Sequence, residues 1–310
     1  MQLNVLARSL EPAAVVPNDA VALQVTRFDH RKVLNLDHIV AMRPTICVLE
    51  EVDDPDEFYA PALRAAGYDV VADRKSGGAR DSTCVFHRRE EVELRGWRVY
   101  RFGEEQSQFV LCCHFRDRRP QSSSRKNEGH AAPVEFIVVA LHAKAGRSDA
   151  DEAIRMEHAQ RVVCEFLPDF TAACGDRIGK RVLWVGDFNA GPHSYGGRYP
   201  ARVVPWLLHD AKASAPAQLE PSLPRCPIAF RSAVKEASGS HPLFTTCKLR
   251  HGAVIVQTID YVLFADGACR CVGYLPCPSG DPATELAPLF LPNQQWGSDH
   301  LSVYCELRWL

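Results

Sequence analysis

Short apolar or β-branched runs recur at 45–49, 84–87, 109–115, 134–141, 182–185, 254–264 and 301–307, a length and composition that predict strands. Residues 2–7 open the chain as one more. Between these runs the apolar spacing becomes helical. Val33, Leu34, Leu36, Ile39 and Val40 mark a helix over 31–42 that stops short of Pro44. A second helix is expected from Asp54 or Pro55 to Gly67, and a third over about 148–167, ahead of Pro168. Helices alternating with strands predict an α/β fold. The stretches 117–133, rich in Arg, Ser, Gly and Pro, and 214–242, with several prolines, read as loop insertions. Nothing repeats at a fixed period, so the expectation is one domain over 1–310.

The chain has 310 residues, 46% hydrophobic and 24% charged, enough apolar material for a large core and unlike a disordered composition. A net charge of −2 lacks the footprint of a non-specific nucleic-acid binder and leaves room for a local basic cleft. Twelve cysteines lie scattered in apolar runs (Cys47, Cys84, Cys112, Cys164) of a large chain with no signal peptide, which predicts reduced thiols. The best apolar run, 134–143, is interrupted by Glu135 and His142. No membrane span is therefore expected. A cytoplasmic location is expected, with organellar targeting left open because the start reads directly into a strand.

The chemistry concentrates at strand ends. Residues 182–190 form an apolar strand that breaks at Gly186 and then presents Asp187 and Asn189, which strand alternation points the same way. An Asx turn closing the strand accounts for either residue alone. Near the carboxyl end, Gly297-Ser298-Asp299-His300 precedes another strand, and Asp260 lies in the otherwise apolar run 258–264. A carboxylate there is costly unless paired, and His300 is its natural partner. The apolar run 46–49 leads into Glu50, Glu51 and Asp53, with Asn4 in the first strand. Hard Mg²⁺ takes oxygen ligands, a role Glu51 fits. His142 and Lys144, on one face at a strand end, are donors for phosphate oxygens.

In this order, Asn4, Glu51, His142, Gly186-Asp187-Phe188-Asn189, Asp260 and Ser298-Asp299-His300, the set resembles the endonuclease/exonuclease/phosphatase superfamily. Within it the likeness is to the branch of nocturnin and the carbon-catabolite-repressor-type deadenylases. That branch's Asn-x-Leu-Ala stands as Asn4-Val5-Leu6-Ala7, and its Leu-Gln-Glu-Val-Asp as Leu49-Glu50-Glu51-Val52-Asp53. Its Asp-Gly-Cys-Ala is similar to Asp81-Ser82-Thr83-Cys84, and its His-Leu-Lys-Ala to His142-Ala143-Lys144-Ala145. Residues 244–250 resemble its Tyr-Thr-Thr-Trp-Lys-x-Arg, and Leu291-Pro292 with 298–302 its last lead-in. Three positions depart from it: Glu50 replaces Gln, Gly191 replaces Glu, and Gly146 stands where an Arg is usual, with Arg147 one place later.

The resemblance implies a four-layer α/β sandwich of the DNase I type, two mixed β-sheets face to face between helices. It implies Mg²⁺, with Mn²⁺ as a substitute, held chiefly by Glu51 with Asn4, Asp187 and Asp299 nearby. Asp187 would orient or deprotonate the attacking water; Asn189 and His142 would hold the non-bridging oxygens; His300, oriented by Asp260, would stabilise the transition state. Lys144 and Arg250 would clamp phosphate and Asp81 would contact substrate.

The expected partner is a nucleotide or short single-stranded RNA, with no DNA-specific motif. The 2′-phosphate of NADP(H), 3′-to-5′ removal of poly(A), and a small or lipid phosphoester stay open as reactions. A catalytically dead binding module should have lost a principal residue, and none is missing. A zinc module at Cys269, Cys271 and Cys277 lacks paired C-x₂-C knuckles.

Overall fold

The computed structural model describes residues 1–10, 24–104, 106–119, 133–175, 178–194, 201–209, 224–250, 253–277 and 290–310. Four strands, β1 (Gln2–Asn4), β2 (Ile46–Val52), β3 (Tyr68–Arg74) and β4 (Ser82–Arg88), form one sheet in the order β1-β2-β4-β3. Next come β5 (Val92–Arg101), β6 (Phe109–Asp117), β7 (Glu135–His142), β8 (Val182–Asp187) and β9 (Phe230–Ser232). A two-stranded ribbon, β10 (Thr246–Arg250) and β11 (Ala253–Gln257), precedes β12 (Asp260–Ala265), and β13 (Cys269–Tyr274) pairs with β14 (Cys305–Trp309) in a second ribbon. The second sheet has six strands in the order β5-β6-β7-β8-β12-β9. Each sheet carries one parallel pair, β1 with β2 and β7 with β8, among antiparallel neighbours.

Alternation explains the layering. In β2, Val48 faces the core shared with Val138 and Val185 of the second sheet, whereas Cys47 and Leu49 pack outward under helices. Those helices are α1 (Phe28–Met42) and α2 (Tyr59–Ala65), whose Ile39, Tyr59 and Leu63 close that outer layer. Strand β7 is buried along its whole length because both its faces are covered. On its far side lie α3 (Asp149–Arg161) and α4 (Leu167–Cys174), joined by the π-helical turn Val162–Phe166. Short helices α5 (Val203–Leu207) and α6 (Ala233–Ser238) complete the set among the described residues. The result is the four-layer α/β sandwich expected. No described helix is long and apolar enough to cross a membrane.

Several expected boundaries move. The third helical rod does not stop at 167. The wide π turn starts α4 at Leu167, which puts Pro168 in a first turn, where a missing N–H breaks no bond. The single strand expected over 254–264 is two, split at Thr258-Ile259 because the first half pairs with β10 and the second with β8. The last strand begins only at Cys305; the preceding stretch instead ties two elements together, Leu301 donating to Thr245 O and Val303 exchanging bonds with Gln2. The stretch 214–242, expected as a loop, contains β9 and α6, while 214–223 lies outside the described residues. Of the expected loop 117–133, Asp117 ends β6 and 120–132 lie outside the described residues.

Candidate active site

The register of the second sheet sets three side chains level. Asp187 at the end of β8 lies beside His142 on β7 and Asp260 on β12. Gly186 makes that level possible. Its φ is +159°, and a Cβ there would stand 1.9 Å from the Leu141 carbonyl oxygen, so no other residue fits between β7 and β8. Beyond it the chain turns through Asn189 at φ +48°, whose N–H donates to Asp187 Oδ1 at 2.8 Å. Asn189 Nδ2 donates to Ala143 O at 3.2 Å, tying the β8 turn to the end of β7.

His300 and Asp260 meet as expected, Nδ1 to Oδ2 at 2.9 Å, both buried. The carboxylate is held from every side. Thr245 Oγ1 donates to Oδ2 at 2.6 Å and Gln2 Nε2 to Oδ1 at 2.7 Å. Burial opposes charge on His300, but Asp260 outweighs it and raises the imidazole to about 9. His300 Nε2 is left facing Asp187 Oδ2 at 3.9 Å. Asp299 is paired with Lys248 Nζ at 2.8 Å, and that ammonium lies 3.5 Å from His300 Nε2. Lys248 was passed over in the sequence, although it shares a strand face with Thr246 and Arg250. The Arg250 side chain lies outside the described residues.

The first sheet supplies the opposite wall. A register shift between Leu49 and Val52 bulges β2, and Glu51 takes φ +57°, a strained conformation for a glutamate. Glu51 Oε1 accepts from Asn4 Nδ2 at 2.9 Å and its Oε2 from Ala7 N at 3.3 Å. Asn4 Nδ2 also donates to Asp187 Oδ2 at 3.2 Å, bridging the two sheets. The Leu6 N–H occupies Asn4 Oδ1 at 3.0 Å, which fixes the amide orientation. Asn4, expected beside the metal, here gives its amide hydrogens to the flanking carboxylates of Glu51 and Asp187. Glu50 is wholly buried and accepts from Gln2 Nε2 at 3.0 Å, with Oε1 unpartnered among the described residues. Burial, with Asp260 and Asp187 adding to it, pushes its carboxyl well above the usual range.

His142 sits between two groups of acids. Its Nε2 is 3.7 Å from Glu51 Oε1 and 3.8 Å from Asp187 Oδ2, and its Nδ1 lies 3.0 Å from Lys75 Nζ. Lys75 pairs with Asp81 at 2.6 Å. Burial would raise Asp81, but His142 and Lys75 outweigh that and hold the carboxyl below its usual range. Lys75, at the turn after β3, had no signal in the sequence. Lys144 is drawn in less than expected: it is 40% exposed, with its ammonium 4.0 Å from Asp151. The Gly146 departure has a steric reason. At φ +134°, a Cβ would stand 2.3 Å from the Asp151 carboxylate, which is committed to the Ser148 capping box of α3.

The donor set fits a hard divalent cation. Glu51, Asp187 and Asp299 bring carboxylates to one place that Lys248 and His300 only partly balance, and oxygen donors of this kind suit Mg²⁺-class ions. Asp187, Asp260 and His300 also approach within 4.8 Å of one another and could surround an ion. Yet both oxygens of Asp260 are already engaged, so that trio reads as an oriented histidine beside Asp187. A cleft of about 960 Å³ lined by Leu167, Thr171, Arg225 and Asp266 holds none of these groups.

The profile of the endonuclease/exonuclease/phosphatase family matches residues 1–300. The chain belongs to that family. Its members, nucleases and phosphatases by name, hydrolyse phosphoester bonds. Nocturnin of Drosophila melanogaster is 25% identical over 332 residues, covering 100% of this chain and 46% of the relative. Human nocturnin is 24% identical, covering 99% and 64%. This chain thus spans about half to two thirds of these relatives. The fold is similar to that of the human nocturnin catalytic domain with bound sulfate (TM-score 0.65, 22% identity, 100% of this chain and 92% of that one). It is also similar to ANGEL2, a 2′,3′-cyclic phosphatase, in complex with adenosine-2′,3′-vanadate (TM-score 0.66, 14% identity, 99% and 94%).

Proposed function

We propose that this family member is a Mg²⁺-dependent hydrolase of a nucleotide phosphoester, with the 2′-phosphate of NADP(H) as the first candidate. The observation that carries the reaction is the convergence of Asp187 with Asn4, Glu51, His142 and His300 from two sheets. Glu51, with Asp187 and Asp299, would hold the cation. When bound, it would polarise the phosphoryl oxygen and balance developing charge.

The chain's own groups do the rest. Asp187 is fixed on one oxygen by Asn189 N–H and on the other by Asn4, so its remaining lone pairs have one direction in which to take a proton from water. His300, kept protonated by Asp260, offers Nε2–H to the phosphoryl oxygens as negative charge builds there. His142 offers a second donor from the other side. Fixed donors aimed at developing charge account for most of the rate in phosphoryl transfer.

A compact nucleotide is favoured over a long RNA strand by the pairing of nearby cations. Lys75 meets Asp81, Lys248 meets Asp299, Arg101 meets Asp73 and Arg74 meets Asp54. A strand-binding track needs cations available to the backbone and aromatic faces for stacking. The nocturnin likeness points the same way. Poly(A) removal, implied by the wider deadenylase likeness, is the second reading.

The test is release of phosphate from NADPH and of AMP from a short oligo(A), side by side with Mg²⁺, using Asp187→Ala as the blank. Phosphate from NADPH alone is expected. AMP from the RNA alone would replace the first candidate with a deadenylase, and product release unaffected by Asp187→Ala would overturn the site.

A further inference from the structure

One buried charge pair beside the site is not used by the chemistry above. Arg155 and Glu152, one turn apart on α3, are paired at 2.8 Å, and both side chains are 0% exposed. A fully buried ion pair is weak evidence for stability, since apolar residues of similar volume often serve as well. What distinguishes this pair is where its other polar atoms go. Arg155 Nη1 donates to Lys144 O at 2.8 Å and to Gly146 O at 3.0 Å, the backbone that leaves β7 directly after His142. Glu152 Oε1 accepts from Arg202 N at 2.8 Å and Val203 N at 3.1 Å, where the chain returns after the Asp187–Asn189 turn. The pair therefore ties the backbone that follows His142 to the start of α5.

We propose that Arg155, held by Glu152, is a positioning residue that fixes the loop carrying Lys144 and, through it, the affinity for the substrate phosphate. Only arginine suits this task. Its planar fork presents donors in two directions at once, one edge to the Glu152 carboxylate and one to two carbonyls, whereas lysine is a point charge. The loop has a second tether, the Ser148–Asp151 capping box, whose carboxylate lies against Gly146. Between the two tethers the backbone of residues 144–148 has little freedom, and Lys144 projects from it. Loosening one tether frees the ammonium, while His142 and Asp187 stay tied by the β7–β8 register and by the Ala143 N–H bond to Asp187 O.

The inference rests on the phosphoesterase reading for its kinetic consequence but not for its structural one, so two readouts are taken on the full chain. The first is amide hydrogen exchange in Arg155→Lys and Arg155→Ala. Faster exchange confined to 144–148 and 202–204 is expected, and unchanged exchange there in both variants overturns the proposal whether or not the protein hydrolyses anything. The second is the kinetics of NADPH hydrolysis, with Phe170→Leu in α4 as a control for general destabilisation. KM is expected to rise on the order of 10-fold with kcat within about 3-fold, the pattern for a misplaced binding group. Free guanidinium at tens of millimolar should bring KM of Arg155→Ala back, and methylammonium should not. A KM equal to wild type, or a rise matched by Phe170→Leu, overturns the positioning role. Hydrolysis absent from the wild type would defeat the phosphoesterase reading and leave the exchange result to decide this one. If Arg155→Ala does not fold, Arg155→Lys carries both readouts.

Discussion

The two walls of the site are built in opposite ways. The second sheet presents His142, Asp187 and Asp260 from the ends of regular strands in register. The first sheet presents Glu51 from a bulge, at φ +57°, beside Asn4, whose chain turns at once through Leu6 at φ +58°. Buried arginines support both walls from behind. Arg31 donates to the carbonyls of Val5 and Leu6 at 3.1 and 2.8 Å, as Arg155 does to those of Lys144 and Gly146. The contrast suits a division of labour. In the proposed mechanism the regular strand ends would hold the groups that handle water and phosphate, while strained backbone would aim the hard oxygen donor of Glu51 at the cation.

That division predicts different failures. Asp187→Asn should cost on the order of 10²- to 10³-fold in kcat, and raising Mg²⁺ should not restore it, because the proton acceptor is gone. Glu51→Gln should lose a comparable amount at low Mg²⁺ and recover much of it as Mg²⁺ or Mn²⁺ is raised. Rate measurements across a metal titration decide it, and equal recovery of the two variants would dissolve the division.

Gly186→Ala tests the regular wall by its packing. With a Cβ placed 1.9 Å from Leu141 O, β7 and β8 must separate, and a loss of about 3 kcal/mol or more is expected. Denaturant unfolding measures it; a loss under 1 kcal/mol would mean the strands can move apart freely.

Asp260→Asn removes the group that raises His300 to about 9. The histidine should then lose its proton at lower pH, so the alkaline limb of kcat should move down by a unit or more. The same proton bears on stability. With its folded pKa above the ordinary value of 6.5, His300 stabilises the native state fully below 6.5, and that contribution is lost as pH rises through about 9. In Asp260→Asn the decline over this window should flatten. A pH–rate profile identical to wild type would sever His300 from the chemistry.

The sequence discloses the regular wall better than the irregular one, for a physical reason. Strand alternation has a period and a buried carboxylate demands a partner, so the strand ends and the Asp260–His300 pair are legible, whereas Asn189 is not: it stands past the end of β8 in a turn at φ +48°, not on a strand face shared with Asp187. A bulge has no period. Alternation alone puts Glu50 and Glu51 on opposite faces, and nothing in it foretells that Asn4 turns its amide hydrogens to Glu51 and Asp187 while Leu6 occupies its oxygen. Lys75 and Lys248 escaped notice because each is defined by an acid distant in sequence, or on another element. β5 escaped because its exposed Arg95, Trp97, Arg98 and Arg101 hide the apolar half of the pattern.

The smallest effect expected is also a gain. Glu50 stands where the family resemblance has Gln, is wholly buried, and has one oxygen without a partner among the described residues. Asp260 and Asp187 add to the burial that pushes its carboxyl up, so its native form favours the neutral acid. Glu50→Gln keeps that shape, keeps an oxygen for Gln2, and turns amide hydrogens toward the neighbouring carboxylates. Replacing a buried carboxyl oxygen that has no partner among the described residues with an amide aimed at those carboxylates should stabilise the fold by on the order of 1 kcal/mol. The sign of its pH dependence follows from linkage. An acid that holds its proton more tightly when folded loses native stability as pH rises above the ordinary value of 4.5, whereas glutamine has no proton to lose. The advantage of Glu50→Gln should therefore grow from pH 5 to pH 8 in metal-free thermal unfolding. A variant less stable than wild type at pH 8 would mean the Glu50 carboxyl is ionised and held by its surroundings, and that the irregular wall tolerates more negative charge than its geometry suggests.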